Sequence, residues 1–368
     1  MRIAFDFQVF LFQEYGGISR YYGRLASALN SLDGVEARIF APLHLNAYLA
    51  ELPAGMVKGR DVRHWRKSKK LFRAINAMSS RLLMRAYKPN VVHETYYSST
   101  SLAFKGVPVV VTVHDMIHER FPEMFPAKDQ TSKLKRAAVE KADQVICVSE
   151  NTRKDLLEYF GTAEKKVSVV HHGFQEFSHG VGASDRLMSI GEKPYFLYVG
   201  QRSGYKNFDR FIRAFASSQK LRNGYRVVCF GGGAFRQEEW RAFHELGLEE
   251  AQTVQVGGDD SAMAHCYQHA FALVYPSLYE GFGLPPLEAM SVGCPVIGSC
   301  TSSIPEILGP AAEYFDPASI ESMREGLERV AISSDRRREL VRLGGERYKQ
   351  FTWQRCAEET LAVYERLI

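Results

Sequence analysis

Residues 272–307 read ALVYPSLYEGFGLPPLEAMSVGCPVIGSCTSSIPEI, and the fold follows from how that stretch is punctuated. Ala272 to Tyr275 is a short apolar run of the length and composition of a buried parallel strand. Pro276 to Gly283 is a loop, whose glycines at 281 and 283 let backbone approach a ligand. Leu284-Pro285-Pro286 opens a helix, because proline is tolerated in a first turn that needs no N–H donor. Gly293 ends it, and Pro295-Val296-Ile297 starts the next strand.

A strand that runs through a glycine loop into a helix N-terminus presents free N–H groups and the positive end of a helix dipole, a setting for phosphate. Glu280 and Glu288 flank the turn and cannot bind that phosphate, so they are expected to accept hydrogen bonds from hydroxyls. A ligand with phosphates in its middle and hydroxyls at both ends is a nucleotide sugar. Glu280 and Glu288, with GFGLPPLEAM between and beyond, resemble the nucleotide-binding signature of the family-four retaining glycosyltransferases of GT-B fold.

The rest of the chain is compatible with that scale of molecule. Its 368 residues suit two domains, and 45% hydrophobic with 24% charged residues is an ordinary globular composition. No apolar run approaches the ~18 residues of a membrane span. The N-terminus, MRIAFDFQVFLF, is interrupted by Asp6 and Gln8 and reads as a strand, Arg2–Phe7, rather than a signal peptide. Six scattered cysteines without CxxC pairs point to reduced thiols, a cytoplasmic setting and no structural zinc. Residues 1–180 hold 26 Lys/Arg against 18 Asp/Glu, whereas the remainder holds 21 against 24. A basic first half implies an anionic partner beyond the nucleotide.

Along the first half, Gln8–Gly17 reads as a loop and a helix starts near Ile18 with Tyr22, Leu25, Ala26 and Leu29 on one face. EYGGISRYYGRLASAL resembles the family's glycine loop and first helix, which would put Gly16 and Gly17 on the donor phosphates. Strands are expected at Val91–His93, Val107–Val113, Gln144–Ser149 and Val167–Val170. The second ends in His114-Asp115, and ligands of open α/β sheets gather at strand carboxyl ends. The resemblance puts this dipeptide beside the transferred sugar and the acceptor; a structural loop histidine is the alternative. His114 and His118 at i, i+4 raise a metal site, but no third ligand is evident. Phe174–Lys193 is polar and aperiodic, a linker where the family has its hinge.

In the second half, strand Tyr195–Val199 runs into GQRSGYKN, matching the family's diphosphate motif through Arg202, Lys206 and Asn207. Gly231-Gly232-Gly233 is a strand-end turn, since Arg236 stands where GxGxxG needs glycine. The resemblance puts the GGDD turn against the base, where Asp259 and Asp260 would accept from guanine N1–H and N2–H, favouring GDP; it is not a metal-binding DxD. FTWQRCAEETLAVYERLI resembles the family's C-terminal helix, which returns to the first domain.

These readings together imply an α/β protein of GT-B type, two doubly wound Rossmann-like domains facing a central cleft. Residues 1–174 with the crossover helix 352–368 would form the acceptor side and 175–351 the donor side. Catalytic expectations are His114, Asp115 and Glu280; donor contacts are Gly16, Gly17, Arg202, Lys206, Asn207, Asp260, Gly281, Phe282, Gly283, Leu284 and Glu288. No metal or cofactor is implied beyond the nucleotide-sugar donor, and no nucleic-acid partner. The expected reaction moves a hexose, mannose from GDP-mannose by resemblance to O-antigen and exopolysaccharide enzymes, to a glycan or polyprenyl-diphosphate-linked hydroxyl. A non-catalytic nucleotide-sugar-binding protein, a sugar-nucleotide epimerase and a sugar-phosphate synthase are the alternatives.

Residues 58–88 hold eleven Lys/Arg and one acid. Leu71, Ile75, Met78 and Leu82 keep helical spacing. Two readings are open: a domain helix that packs this line on its own core, or a basic face that docks on an anionic cytoplasmic leaflet.

Overall fold

The computed structural model describes residues 1–65, 69–176 and 193–368. Arg66 and Lys67 of the basic segment and most of the expected linker lie outside these described residues. The chain divides into two compact units, Met1–Gly173 with Phe351–Ile368, and Phe174–Gln350.

The first unit is built on six parallel strands: β1 (Arg2–Phe5), β2 (Glu36–Ile39), β5 (Val91–Glu94), β6 (Val109–Val113), β7 (Gln144–Cys147) and β8 (Val167–Val169). They lie in the order β2-β1-β5-β6-β7-β8, and a two-stranded parallel pair, β3 (Leu43–His44) with β4 (Arg60–Asp61), is separate. β5, β6 and β7 are buried along their whole length, so none shows the polar alternation of a one-sided sheet, and the polar His93, Glu94, Thr112 and Gln144 are buried with them. The order reverses between β1 and β5.

Two differences from the expected elements have local causes. The first strand ends at Phe5, and the anticipated loop contains a helix, Gln8–Phe12. The buried Asp6 carboxylate accepts from the Gln8 backbone N–H at 3.1 Å and from its side-chain amide at 2.6 Å, so the chain turns there. Val9, Phe10 and Leu11 then bury themselves in the core. The second difference is the Ile117–Arg120 turn of helix after His114-Asp115, where a loop was expected.

The Trp353–Glu365 helix packs Cys356, Ala357, Val363 and Tyr364 into the first unit's core. Tyr364 Oη lies 2.6 Å from His93 Nδ1, whose other nitrogen is 2.9 Å from Thr112 Oγ1. A Cβ on Gly173 would stand 2.6 Å from the Trp353 Cα, so only glycine lets the two backbones approach this closely.

The second unit has six parallel strands, β9 (Tyr195–Val199), β10 (Arg226–Phe230), β11 (Thr253–Val256), β12 (Ala272–Tyr275), β13 (Val296–Ser299) and β14 (Ala312–Phe315). Their order, β11-β10-β9-β12-β13-β14, is the doubly wound 3-2-1-4-5-6 arrangement. Adjacent β9 and β12 have their helical connections leaving in opposite directions, so a crevice opens at their carboxyl ends. That crevice is the switch point where such sheets hold ligands.

Candidate functional site

At the carboxyl end of β9 the chain makes a short helical turn, Gly204–Lys206, closed by Asn207 in a left-handed conformation at φ 59°. The Asn207 amide donates to the Pro276 and Pro317 carbonyls at 2.9 and 2.8 Å, and its oxygen accepts from Arg210. It therefore ties three segments of the unit together. Both its amide protons and its oxygen serve the fold here.

Lys206 does reach the crevice. Its Nζ lies 2.7 Å from Glu280 Oε1, with the ammonium 5.6 Å from the Tyr275 ring centroid. Both side chains are mostly buried. The Glu280 loop is held from behind by residues whose part the sequence reading missed. Ser302 Oγ accepts from the Glu280 N–H at 2.9 Å, Ser303 Oγ donates to the Glu280 and Phe282 carbonyls, and Thr301 Oγ1 donates to the Leu278 carbonyl. The signal was present in CTSS, a hydroxyl cluster just past the end of β13. Such residues bond to neighbouring backbone and fix loops.

Gly281, Phe282 and Gly283 are buried, and Gly283, at φ 116°, precedes the Leu284–Ser291 helix. Leu284 is its first residue, so the N–H groups of that turn and the positive dipole end face the loop. Glu288, one turn on, accepts from the buried Tyr267 hydroxyl at 3.0 Å. Lys206, Glu280, the 281–284 turn and Glu288 thus belong to one neighbourhood of the second unit.

Arg202 and Asp260 follow the carboxyl ends of β9 and β11. The Arg202 guanidinium is buried: Nε donates to Glu239 Oε1 at 2.7 Å, and its other nitrogens donate to the carbonyls of Gly231, Gly233 and Ala234. A Cβ on Gly232, itself at φ 69°, would come within 2.6 Å of that guanidinium, so the triple-glycine turn is shaped around it. In this structure the Arg202 fork is engaged by Glu239 and the glycine turn, whereas Lys206 is the cation paired with Glu280. In the GGDD turn, Asp259 caps the Asp260–His269 helix by accepting from the Ala262 N–H at 3.0 Å, and Asp260 is that helix's exposed first residue. Asp259 is thus the cap of that helix.

In the first unit, His114 follows β6 into the core. Its Nδ1 is 3.4 Å from His172 Nε2, and the Tyr21 ring meets it edge-on at 5.1 Å. Burial, with nearby His93 and Lys135, pushes the imidazole down to about 3, so it is neutral at physiological pH. Its Nε2 is buried and makes no hydrogen bond among the described residues. Asp115 Oδ1 accepts from the Ile117 N–H and lies 3.7 Å from the Nζ of Lys135. Lys135 is itself fully buried and donates to the Asp115 carbonyl and to Glu119, a role nothing in its basic helix announced. His118 stacks on Phe125 at 3.8 Å between ring centroids, and its Nε2 lies 3.9 Å from Asp129 Oδ2. Among the described residues no three His, Cys, Asp or Glu side chains gather as metal ligands.

Gly16 precedes the Gly17–Leu29 helix and its carbonyl accepts from Arg20 N–H and Ser19 Oγ, while Gly17 is exposed. Their N–H groups lie at the amino end of that thirteen-residue helix, which follows β1 and the short Gln8–Phe12 helix.

Similarity to known proteins agrees with this architecture. Residues 15–175 match the family model described as Glycosyltransferase Family 4, and residues 184–346 match Glycosyl transferases group 1. The O-antigen chain mannosyltransferase B of Escherichia coli is 25% identical, over 80% of this chain and 79% of that protein. The O-antigen chain mannosyltransferase RfbU of Salmonella typhimurium strain LT2 is also 25% identical, covering 85% of this chain and 87% of its own. HepE of Anabaena, solved with UDP and glucose, superposes with a TM-score of 0.73 at 16% identity, covering both chains completely. With one family model on each half and doubly wound parallel sheets in both units, the chain belongs to the family-four glycosyltransferases of GT-B fold.

Proposed function

We propose that the protein transfers mannose from GDP-mannose, with retention and without a metal ion, to a hydroxyl of a glycan or polyprenyl-diphosphate-linked acceptor in surface polysaccharide synthesis. The carrying observation is the Lys206–Glu280 pair set beside the amino end of the Leu284–Ser291 helix. The barrier in such a transfer is departure of the diphosphate from an oxocarbenium-like carbon, so the largest contribution is fixed positive charge aimed at the leaving oxygens. Lys206 and the N–H groups of Phe282 to Leu284 supply it. Glu280, already desolvated, holds Lys206 and is placed to accept from sugar hydroxyls; Glu288 is assigned to the ribose. The donor phosphate takes the acceptor's proton in a same-face attack, and His114 and Asp115 are assigned to the acceptor's side. The choice of mannose rests on the two O-antigen mannosyltransferases among the relatives. A cytoplasmic enzyme working at the inner leaflet fits the basic first half; among the described residues no helix is long and apolar enough to cross a membrane.

The test is incubation with GDP-mannose and a polyprenyl-diphosphate-linked acceptor, followed by NMR of the product. An α-mannoside supports the reading. A β-anomer overturns retention, and conversion of the donor without acceptor overturns transfer in favour of epimerisation.

A further inference from the structure

The Lys69–Tyr87 helix, KKLFRAINAMSSRLLMRAY, is attached to its unit through a face that mixes buried polar groups with Phe72, Met84 and Tyr87. Asn76 is completely buried and pairs with the backbone of Leu43, accepting from its N–H and donating to its carbonyl, both at 2.8 Å. One turn on, buried Ser80 donates to the Phe40 carbonyl. Phe72, Met84 and Tyr87 complete that inner face. Of the line Leu71, Ile75, Met78 and Leu82, Ile75 is half-buried while Leu71, Met78 and Leu82 are 48%, 67% and 66% exposed, so the first of the two readings, packing on the unit's own core, does not hold. The correction has a clear cause. An amide that satisfies both hydrogen-bonding groups of a strand residue fixes the helix's rotation, and the apolar line half a turn away is left in water.

Basic groups flank that line. Arg81 stands three residues after Met78, and Arg85 three after Leu82, so both rise beside it on the helix surface. Lys70 lies on the same flank, and all three are exposed. The helix carries five Lys/Arg and no acid. Trp65, just before it, is also exposed, and indole rings favour the water–lipid boundary.

We propose that this outward face is a membrane-docking surface, with Leu71, Met78 and Leu82 entering the interfacial layer of an anionic leaflet while Lys70, Arg81 and Arg85 contact its headgroups. A helix with an apolar ridge, basic flanks and low overall hydrophobicity lies in the interface plane. Anionic lipid is the occupant favoured by charge. A second copy of the chain meeting this face symmetrically would set an all-basic surface against itself. The proposal deepens, and rests on, the reading of a lipid-linked acceptor, since docking brings the enzyme to it.

The experiment is flotation of the full chain with vesicles of phosphatidylglycerol and phosphatidylethanolamine, against phosphatidylcholine alone. Wild type is expected to bind the anionic vesicles at least tenfold better. Met78→Glu with Leu82→Glu, at sites already exposed, should lose binding about tenfold with an unchanged melting temperature. Arg81→Gln with Arg85→Gln should lose it several-fold. Absence of binding to anionic vesicles, or equal binding by the Met78/Leu82 variant, overturns the proposal. So does a dimer in sedimentation that the same variant dissociates. Those failures would coexist with intact nucleotide binding and transfer to a soluble acceptor, whereas a failed functional reading would show as lost nucleotide binding with vesicle docking intact.

Discussion

Lys206 Nζ and Glu280 Oε1 meet at 2.7 Å although 74 residues separate them in the chain. The pair sits at the crevice between β9 and β12, and its two members should answer substitution differently. Lys206→Ala removes a charge-assisted phosphate contact of about 1.5–3 kcal/mol, so donor KM should rise and kcat fall further as leaving-group charge develops. Glu280→Ala frees Lys206 and misplaces the sugar, so kcat should fall with donor KM little changed. Wild-type rates from both folded variants would move the site elsewhere.

The nucleotide is testable by thermal shift with GDP, UDP, dTDP and ADP. A nucleotide at 100 times its dissociation constant adds about 2.7 kcal/mol of stability. GDP is expected to give the largest shift; a larger one with UDP would remove GDP-mannose and leave the fold untouched.

Transfer is expected to persist in excess EDTA, because Lys206 and a helix dipole already oppose the diphosphate charge. A roughly tenfold loss restored by Mn²⁺ or Mg²⁺ would return the metal to the mechanism.

Asn207 should behave as a structural residue. Asn207→Asp turns two donated hydrogen bonds into facing oxygens and should destabilise by about 1–3 kcal/mol for each carbonyl left bare. Asn207→Gly keeps the left-handed backbone and should cost less than Asn207→Asp. An unchanged melting temperature with weakened donor binding would instead assign it a direct role at the donor.

His114 has its folded pKa depressed to about 3 by burial, below the ~6.5 of an unfolded histidine. Its contribution is fully present above pH 6.5 and is lost as pH falls toward 3, amounting to about 2 kcal/mol by pH 5. Glu94 works oppositely: burial, with Asp6 nearby, pushes its carboxyl up to about 7, so it adds stability as pH falls from 7 toward 4.5. The clean measurement is a difference. Between pH 8 and 5, His114→Asn should lose about 2 kcal/mol less stability than wild type in urea unfolding. Parallel pH profiles would mean that His114 titrates normally in the native protein.

Much of this protein was written locally. Apolar runs such as Ala272–Tyr275 and Tyr195–Val199 are strands at those bounds, because a parallel strand covered on both faces needs no polar alternation. Gly283 followed by Leu-Pro-Pro opens a helix at that point, because proline and glycine act on their own dihedrals. What a side chain does once folded was less local. Strand order decided that the loops after β9 and β12 are neighbours and so brought Lys206 to Glu280, and neighbours in a parallel sheet are chosen by long-range burial. Tertiary hydrogen bonds likewise drew Arg202 onto Glu239 and the glycine turn, and Asn207 onto two proline carbonyls. The Lys69–Tyr87 helix shows the division most sharply. Its existence follows from spacing and propensity, but its rotation was set by Asn76 and Ser80 bonding to backbone of the β2–β3 region. Burying unpaired backbone N–H and C=O groups there would cost more than leaving Leu71, Met78 and Leu82 in water.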